Sequence, residues 1–388
     1  MKRISILVLV LSTCLATTAW SQQAATNSQN IWSEFHRANM TRSNPNENVL
    51  NVSNVGNLVL KWSFITHGGK AGAEVFSSPA LVNGVMYIGN QGGYVYALNA
   101  STGAPLWSYL TFDEVVSSPA VANGVVYICQ LGAIVGDGVL ALNANTGALL
   151  WNYSDDSYMA SSPAVSNGMV YVGTEAGNVY GLNASTGTPV WTYTTGQYVS
   201  SSPAIANGTV YIGGGNNVYA LNASTGALLW SYTTGSLVTS SPAVANGVVY
   251  IGSWDKSVYA LNANTGAKLW SHATGDKVES SPAVANGVVY VGSEDHSLYA
   301  LKASTGAKLW SYHTGQPVTS SPAVANGVVY VGSFDDNLYA LNARSGAKLW
   351  SYRTGNHVYS SPSVANGQVY VGSIDHKVYV FGLTKGQE

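Results

Sequence analysis

The chain has 388 residues and a formal net charge of −2, and only 9% of its residues are charged, against about 25% in an average soluble protein. This balance excludes wholesale binding of nucleic acid, which requires a marked excess of lysine and arginine. Two cysteines in the whole chain exclude a disulfide scaffold, and the length is sufficient for an ordinary hydrophobic core.

Residues 1–21 are expected to form a secretory signal peptide. A basic start and an apolar run from Ile6 to Leu11 precede the small residues Ala19 and Ser21, which mark a cleavage point. The apolar run is too short for a membrane-spanning helix. The alternative is a lipoprotein signal with acylation at Cys14. We expect a periplasmic or secreted protein, or a lipid-anchored envelope protein in the alternative, with membrane contact only if Cys14 is acylated.

Cleavage after Ser21 leaves Cys129 as the one mature cysteine, so no intrachain disulfide is expected. Cys129 stands in VVYICQ, where sister segments read VVYIGS or VVYVGS. We interpret it as a small buried hydrophobic residue and not as a nucleophile.

The rest of the sequence is dominated by one repeated stretch. SSPAVANGVVY occurs four times unchanged and four times in edited form. A fixed period of about 40 residues indicates a repeat architecture. The prolines of the eight copies are Pro79, Pro119, Pro163, Pro203, Pro242, Pro282, Pro322 and Pro362.

Each period divides into four short strands and their turns. The Asn-Gly pair after the first strand is typical of a tight hairpin. Proline cannot donate to a strand ladder, which places the first strand at a sheet edge. Four-stranded units of this length are typical of β-propeller blades. We therefore predict an all-β fold, an eight-bladed β-propeller of four-stranded antiparallel blades.

The blades also share a tryptophan motif. ALNANTGAKLW, from Ala260 to Trp270, has alanine first, glycine seventh and tryptophan eleventh. This pattern resembles the tryptophan-docking motif of the pyrroloquinoline-quinone-like (PQQ-like, or quinoprotein-type) β-propeller repeat family, which implies that the tryptophans are structural docking residues. They are Trp62, Trp107, Trp151, Trp191, Trp230, Trp270, Trp310 and Trp350.

The two ends of the chain are expected to meet. The last repeat ends after its third strand, whereas Trp62 lies upstream of the first SSPA. The N-terminal strand should therefore complete the last blade and close the ring. This gives residues 57–383 as the propeller, 22–56 as an N-terminal segment packing on the ring, and 384–388 as a tail.

The eight copies differ mainly in two sets of loops. The loops before the first strand and those between the second and third strands lie on one side of the disc, which we call the variable face. The turns between the first and second strands and between the third and fourth strands lie on the other side, which we call the constant face. Of the 18 acidic residues, all but Glu34, Glu47 and Glu388 fall on the variable face. The constant face carries basic residues, namely Lys268, Lys302, Lys308, Arg344 and Lys348.

The channel mouth of this acidic face is the predicted ligand-binding site, since rings and charges are mixed there. The candidate residues are Glu74, Phe76, Glu114, Tyr158, Tyr198, Lys277, Glu279, His357 and Tyr359. The recurring Asp255, Asp295, Asp335 and Asp375 are better explained as turn formers. The histidine spacing predicts no metal site, and no residue matches a catalytic motif.

Two functions remain open on this evidence. The first is a non-enzymatic extracytoplasmic binding or scaffold protein. It is expected to be a monomer that binds a protein or glycan ligand on the acidic face and needs no cofactor. In size and repeat type the chain resembles the propeller lipoproteins of the outer-membrane β-barrel assembly machinery. The alternative is a PQQ-dependent (quinoprotein) dehydrogenase. Enzymes of that kind use PQQ, calcium, a catalytic aspartate and often two adjacent cysteines, which this chain lacks.

Overall fold

A computed structural model describes residues 32–35, 41–68, 72–132, 138–155 and 157–387, and the expectations about the signal peptide and Cys14 lie outside these ranges. The described chain forms eight sheets, each built on four antiparallel strands, and in seven of them these four strands are consecutive in the sequence from the inner to the outer edge. The predicted eight-bladed β-propeller is confirmed. No helix in the described ranges is long and apolar enough to cross a membrane.

The blades are numbered from the first SSPA, and their strands run from the central channel outward. Blade 1 comprises Ala80–Val82, Val85–Gly89, Tyr94–Asn99 and Pro105–Leu110, and blade 2 comprises Ala120–Ala122, Val125–Gln130, Gly138–Asn143 and Leu149–Ser154. Blade 3 comprises Ala164–Ser166, Met169–Gly173, Asn178–Asn183 and Pro189–Thr194, and blade 4 comprises Ala204–Ala206, Thr209–Gly214, Asn217–Asn222 and Leu228–Thr233. Blade 5 comprises Ala243–Ala245, Val248–Ser253, Ser257–Asn262 and Lys268–Ala273, and blade 6 comprises Ala283–Ala285, Val288–Ser293, Ser297–Lys302 and Lys308–His313. Blade 7 comprises Ala323–Ala325, Val328–Gly332, Asn337–Asn342 and Lys348–Arg353, and blade 8 comprises Ser363–Ala365, Gln368–Ser373, Lys377–Gly382 and Val59–Ile65.

The second serine of the repeated Ser-Ser-Pro links each blade to the next around the channel. The backbone N–H of Ser78 donates to Oγ of Ser118 at 2.9 Å, and that of Ser361 donates to Oγ of Ser78 at 3.0 Å. The six steps between them are made in the same way. Because each Oγ is buried and satisfies a buried N–H, the repeated serines form a closed ring of hydrogen bonds that fixes the blade spacing.

The motif tryptophans tie neighbouring blades together at the constant face. Nε1 of Trp107 donates to the carbonyl oxygen of Ala144 at 2.9 Å, and the hydroxyl of Tyr87 donates to the same oxygen at 3.2 Å. The turn glycine of the next blade lies against the indole: at Gly103, with φ of 73°, a Cβ would come 2.6 Å from the ring of Trp62. The docking role is therefore visible in the packing.

The ring closes by pairing the two ends of the described chain. Val59–Ile65 pairs antiparallel with Lys377–Gly382 as the outer strand of blade 8. Trp62 then docks on blade 1 through the Ala100 carbonyl at 3.2 Å, and Trp350 of blade 7 donates to the Leu58 carbonyl at 3.0 Å. The predicted closure by an N-terminal strand is confirmed.

A second short N-terminal strand occupies the channel. Ser43–Asn44 pairs parallel with Val324 and Ala325 on the inner edge of blade 7 and makes that sheet five-stranded. Trp32, with no exposed surface, pairs with Leu81 of blade 1. Residues 32–35 and 41–44 thus pack inside the ring, whereas Val55–Asn57 lies beside the outer strand of blade 7, with Gly56 next to the Leu349 carbonyl.

Arg42 is the centre of this internal packing. Its Nε donates to the carbonyl of Pro322 at 3.1 Å, one Nη donates to that of Pro362 at 3.1 Å, and the other donates to the carbonyl of Phe35. The guanidinium lies 4.5 Å from the Phe35 ring centroid and 5.5 Å from that of Trp32. Burial lowers the pKa of Arg42 to about 9, which leaves the side chain cationic at neutral pH.

Cys129 lies in the second strand of blade 2 with no exposed surface. Its N–H donates to Oγ of Ser117 at 2.9 Å, and burial raises the pKa of the thiol far above its ordinary value. The interpretation of Cys129 as a small buried hydrophobic residue is confirmed.

Candidate functional site

The chain entering each inner strand alternates between buried and channel-facing residues. Two residues before the SSPA serines stands a buried valine, or Met159 in blade 3. Val115 occupies this position in blade 2, and a Cβ on Gly89 would come 2.2 Å from its Cγ1. Since side chains alternate along extended chain, the residue nearest the serines faces the channel mouth, and the residue before the valine stands on the rim.

Every rim residue is held by a backbone hydrogen bond to the adjacent loop of the variable face. In blade 1 the N–H of Gln91 donates to the Glu74 carbonyl at 2.9 Å, and in blade 6 that of Glu294 donates to the Lys277 carbonyl at 2.9 Å. This hydrogen bond recurs in all eight blades, although the loops between the second and third strands differ in length. The predicted site residues at rim positions are Glu74, Glu114, Tyr158, Tyr198, Lys277 and His357.

The channel mouth holds a cavity of about 490 Å³. Four predicted residues line it, and the other five stand around it. Sequence reasoning missed the remaining lining residues, among them Trp254, the one propeller tryptophan outside the docking register. The full lining is Phe76, Gln91, Val116, Ala160, Tyr198, Ser200, Thr239, Trp254, Glu279 and Tyr359.

One wall of the cavity is aromatic and is contributed by blades 7, 8 and 1. Tyr359 meets Phe76 edge to face with ring centroids 5.3 Å apart, and it lies 5.7 Å from Phe334. Phe334 in turn stacks on the His357 ring at 5.0 Å. His357 Nδ1 lies 3.0 Å from Oδ1 of Asp336, which fixes the histidine at the edge of this wall.

The opposite wall centres on Trp254 of blade 5. Its Nε1 donates to Oγ1 of Thr239 at 2.9 Å, which sets the ring orientation. The ammonium of Lys277 lies 4.1 Å from the indole centroid, within the range of a cation–π contact. Tyr198, which is 43% exposed, donates its hydroxyl to Glu175 at 2.9 Å.

Negative charge lies between the two walls. Burial, followed by the neighbouring Glu294 carboxyl, raises the pKa of Glu279. Burial and then the charges of Glu279 and Glu294 raise the pKa of Tyr359 to about 12, so its hydroxyl stays protonated at neutral pH. A partly desolvated carboxyl beside a second carboxyl and aromatic faces is a setting that favours a cationic group.

The four recurring aspartates have a structural role, as predicted. Oδ2 of Asp255 accepts hydrogen bonds from the Gly235 N–H at 2.7 Å and the Tyr259 hydroxyl at 2.6 Å, while Oδ1 accepts from the Ser257 N–H at 3.0 Å. Asp295, Asp335 and Asp375 have equivalent partners. These carboxylates are therefore occupied in holding loops together.

The lining does not fit PQQ, the cofactor of the alternative function. PQQ carries three carboxyl groups, which require cationic or N–H donors. The cavity offers the Glu279 carboxyl instead, and Lys277, the cation on its rim, lies over Trp254. Within the described residues, no group of three or more His, Cys, Asp or Glu side chains is placed to hold a metal ion.

Fold and repeat together define a PQQ-like propeller protein. The family described as outer membrane protein assembly factor BamB matches residues 18–198, 133–258, 194–277 and 254–388. The chain belongs to this family. No curated protein matches its sequence.

Solved structures of similar fold fall into more than one functional class. BamB from Moraxella catarrhalis is 22% identical with a TM-score of 0.73, and the match covers 84% of this chain and 100% of that one. The quinohemoprotein alcohol dehydrogenase from Comamonas testosteroni is 18% identical with a TM-score of 0.78, covering 91% and 80%. The computationally designed protein Ika8 is 18% identical with a TM-score of 0.72, covering 81% and 98%. At these identities the likeness shows the fold alone.

Proposed function

We propose that the protein is a non-enzymatic extracytoplasmic binding or scaffold protein that holds a partner protein at the channel mouth of its acidic variable face. The observation that carries this proposal is the 490 Å³ cavity, which is built at the position where otherwise identical blades differ. Membership of the BamB family supports a role within an assembly of proteins in the cell envelope.

The chemistry of the cavity favours a basic side chain of the partner as the inserted group. An ammonium or guanidinium entering the cavity would meet the Glu279 carboxyl and the ring of Tyr359, and both of these interactions attract a cation. It would also relieve the repulsion between the Glu279 and Glu294 carboxyl groups. The rim carboxylates Glu74 and Glu114 extend the negative potential that steers such a partner.

The test uses two double variants with equal charge change on the same face. One replaces Glu114 and Glu279 by glutamine; the control replaces Asp155 and Asp276 by asparagine, two loop acids outside the cavity lining. Binding of a fluorescently labelled oligolysine peptide is measured by anisotropy at 50 and 150 mM salt. We expect the Glu114/Glu279 variant to lose at least tenfold in affinity and the control less than twofold.

Binding should also weaken as the pH falls. Because the pKa of Glu279 is raised, its carboxylate is lost at a higher pH than that of an ordinary glutamate, and with it the attraction for a cation. If the two variants lose the same affinity for the peptide, its binding depends only on the net charge of the face, and a site at the channel mouth is contradicted. Reduction of a dye after addition of PQQ and calcium would contradict the non-enzymatic assignment.

A further inference from the structure

A basic patch lies on the constant face, opposite the candidate site. Lys268, Lys308 and Lys348 begin the outer strands of blades 5, 6 and 7, Lys302 ends the third strand of blade 6, and Arg344 lies in the turn before Lys348. All five side chains are exposed. We define these five residues as the basic patch. It covers three consecutive blades and is separate from the residues that line the channel.

The propeller fold does not require these charges. At the position of Lys268, blades 1 to 4 carry Pro105, Leu149, Pro189 and Leu228 with the same strand pairing. The basic residues are therefore a property of one side of the disc and not of the repeat. Like charges so close together repel one another. Because the fold does not need them, we expect an anionic partner to offset this repulsion when it binds.

The patch has no exposed acidic counterpart among the described residues of its own face. Outside the variable face these residues include two acidic side chains. Glu34 is buried in the channel at 6% exposure, and Glu47 is buried at 3% exposure, with its carboxylate accepting the N–H of Gly367 in a constant-face turn of blade 8. No exposed carboxylate of the described constant face therefore offsets the charge of the patch. The variable face, with its carboxylates, points in the opposite direction.

Exposed leucines accompany the lysines. In each of these outer strands the ladder register shifts by one residue, as between Lys268 and Trp270, and the extra residue is left outside the pairing. In blades 5 and 6 this residue is Leu269 or Leu309, each 51% exposed. Blades 1 to 4 expose an apolar residue at the same position, as at Leu106 and Leu229, so the exposed apolar residue belongs to the repeat and only the lysine beside it is particular to this side. The outer edges of blades 5 and 6 therefore present adjacent cationic and apolar side chains, the combination that binds the interfacial zone of a bilayer.

We propose that the basic patch docks the propeller on a bilayer surface bearing anionic headgroups, independently of any acylation. Charge complementarity supports this occupant, and so does the shape of the patch. The outer edge of a disc is convex, and the three lysines recur at the same position in successive blades, one blade apart. A laterally continuous anionic surface can meet such a row without a matching register. Docking in this orientation leaves the acidic channel mouth facing away from the membrane.

The experiment measures sedimentation of the full chain with vesicles. Vesicles of phosphatidylcholine with 40% phosphatidylglycerol are compared with pure phosphatidylcholine at 150 mM salt. The test variant replaces Lys268, Lys308 and Lys348 by glutamine. The matched control replaces Lys256, Arg353 and Lys377, three cations of the variable face, by glutamine, so that both variants have the same net charge.

We expect the wild type to bind the anionic vesicles and not the neutral ones. Each basic residue near an anionic surface contributes about fivefold in partitioning, so the patch variant should lose about a hundredfold and the control no more than about threefold. Equal losses in the two variants, or no binding by the wild type, would overturn the proposal. If the patch variant still binds vesicles but no longer binds an acidic peptide such as oligoglutamate, the proposal is contradicted and the patch is assigned to a protein partner instead.

Discussion

Replacement of Glu34 by glutamine tests the internal placement of the N-terminal segment. Glu34 lies in the channel at 6% exposure, and one carboxyl oxygen accepts the N–H of Val165 at 3.3 Å. Burial raises the pKa of this carboxyl from 4.5 to about 7. Between these two pH values the folded protein holds a proton that the unfolded chain has released, so stability falls as the pH rises through this window.

The size of the effect follows from the two pKa values. Each tenfold change in proton affinity is worth about 1.4 kcal/mol, so the ionised Glu34 costs the folded state about 3 kcal/mol at pH 8. Glutamine keeps the shape and the acceptor oxygen without the charge. The E34Q variant should therefore be up to about 3 kcal/mol more stable than the wild type at pH 8 and within about 1 kcal/mol of it at pH 5.

Glu47 provides a control, because its replacement by glutamine should lower the stability instead of raising it. It is also buried, but its two oxygens accept the N–H groups of Val49 at 2.9 Å, Leu50 at 3.0 Å and Gly367 at 3.1 Å. The E47Q variant loses an acceptor and should be about 1–3 kcal/mol less stable at both pH values.

The assay is urea denaturation of both variants and the wild type at pH 5 and pH 8, followed by tryptophan fluorescence. A Glu34 variant whose stability relative to the wild type is the same at the two pH values would refute the reasoning. It would mean that Glu34 is solvated and that the segment does not lie in the channel as described.

Three further predictions concern the scaffold. Replacing Ser281 by alanine leaves a buried N–H without its acceptor and should cost about 1–3 kcal/mol in urea denaturation, whereas the same change at the exposed Ser271 should cost less than about 0.5 kcal/mol; equal values would remove the serine ring as a stabilising element. The Cys129 thiol should react with a thiol reagent only on unfolding, because it is fully buried and its pKa is raised; stoichiometric labelling of native protein would contradict this. Deletion of residues 22–56 should lower the melting temperature by emptying the channel, and deletion of 22–68 should prevent folding by removing the outer strand of blade 8 as well; identical melting curves would refute the closure.

The sequence determined the propeller because its evidence is local and repeated. Each blade is encoded within about 40 residues by a hairpin pair, two apolar strands and a docking tryptophan, and neighbours in sequence are neighbours in space. Trp62 and the incomplete last repeat even showed where the ring closes. The repetition also separated the shared scaffold from the loops that differ, and so indicated which face to search for a site.

Only the tertiary structure decided what fills the channel and which of the candidate residues share a cavity. Arg42 bonds to Pro322, 280 residues away, because ring closure brings both to the axis, and no periodic pattern carries that information. The same holds for Trp254, which reaches the cavity from a loop between two strands, while Glu74 and His357 remain on its rim. A repeat specifies contacts between adjacent units, whereas residues converging on the axis come from all units at once, and their meeting depends on the curvature of the completed ring.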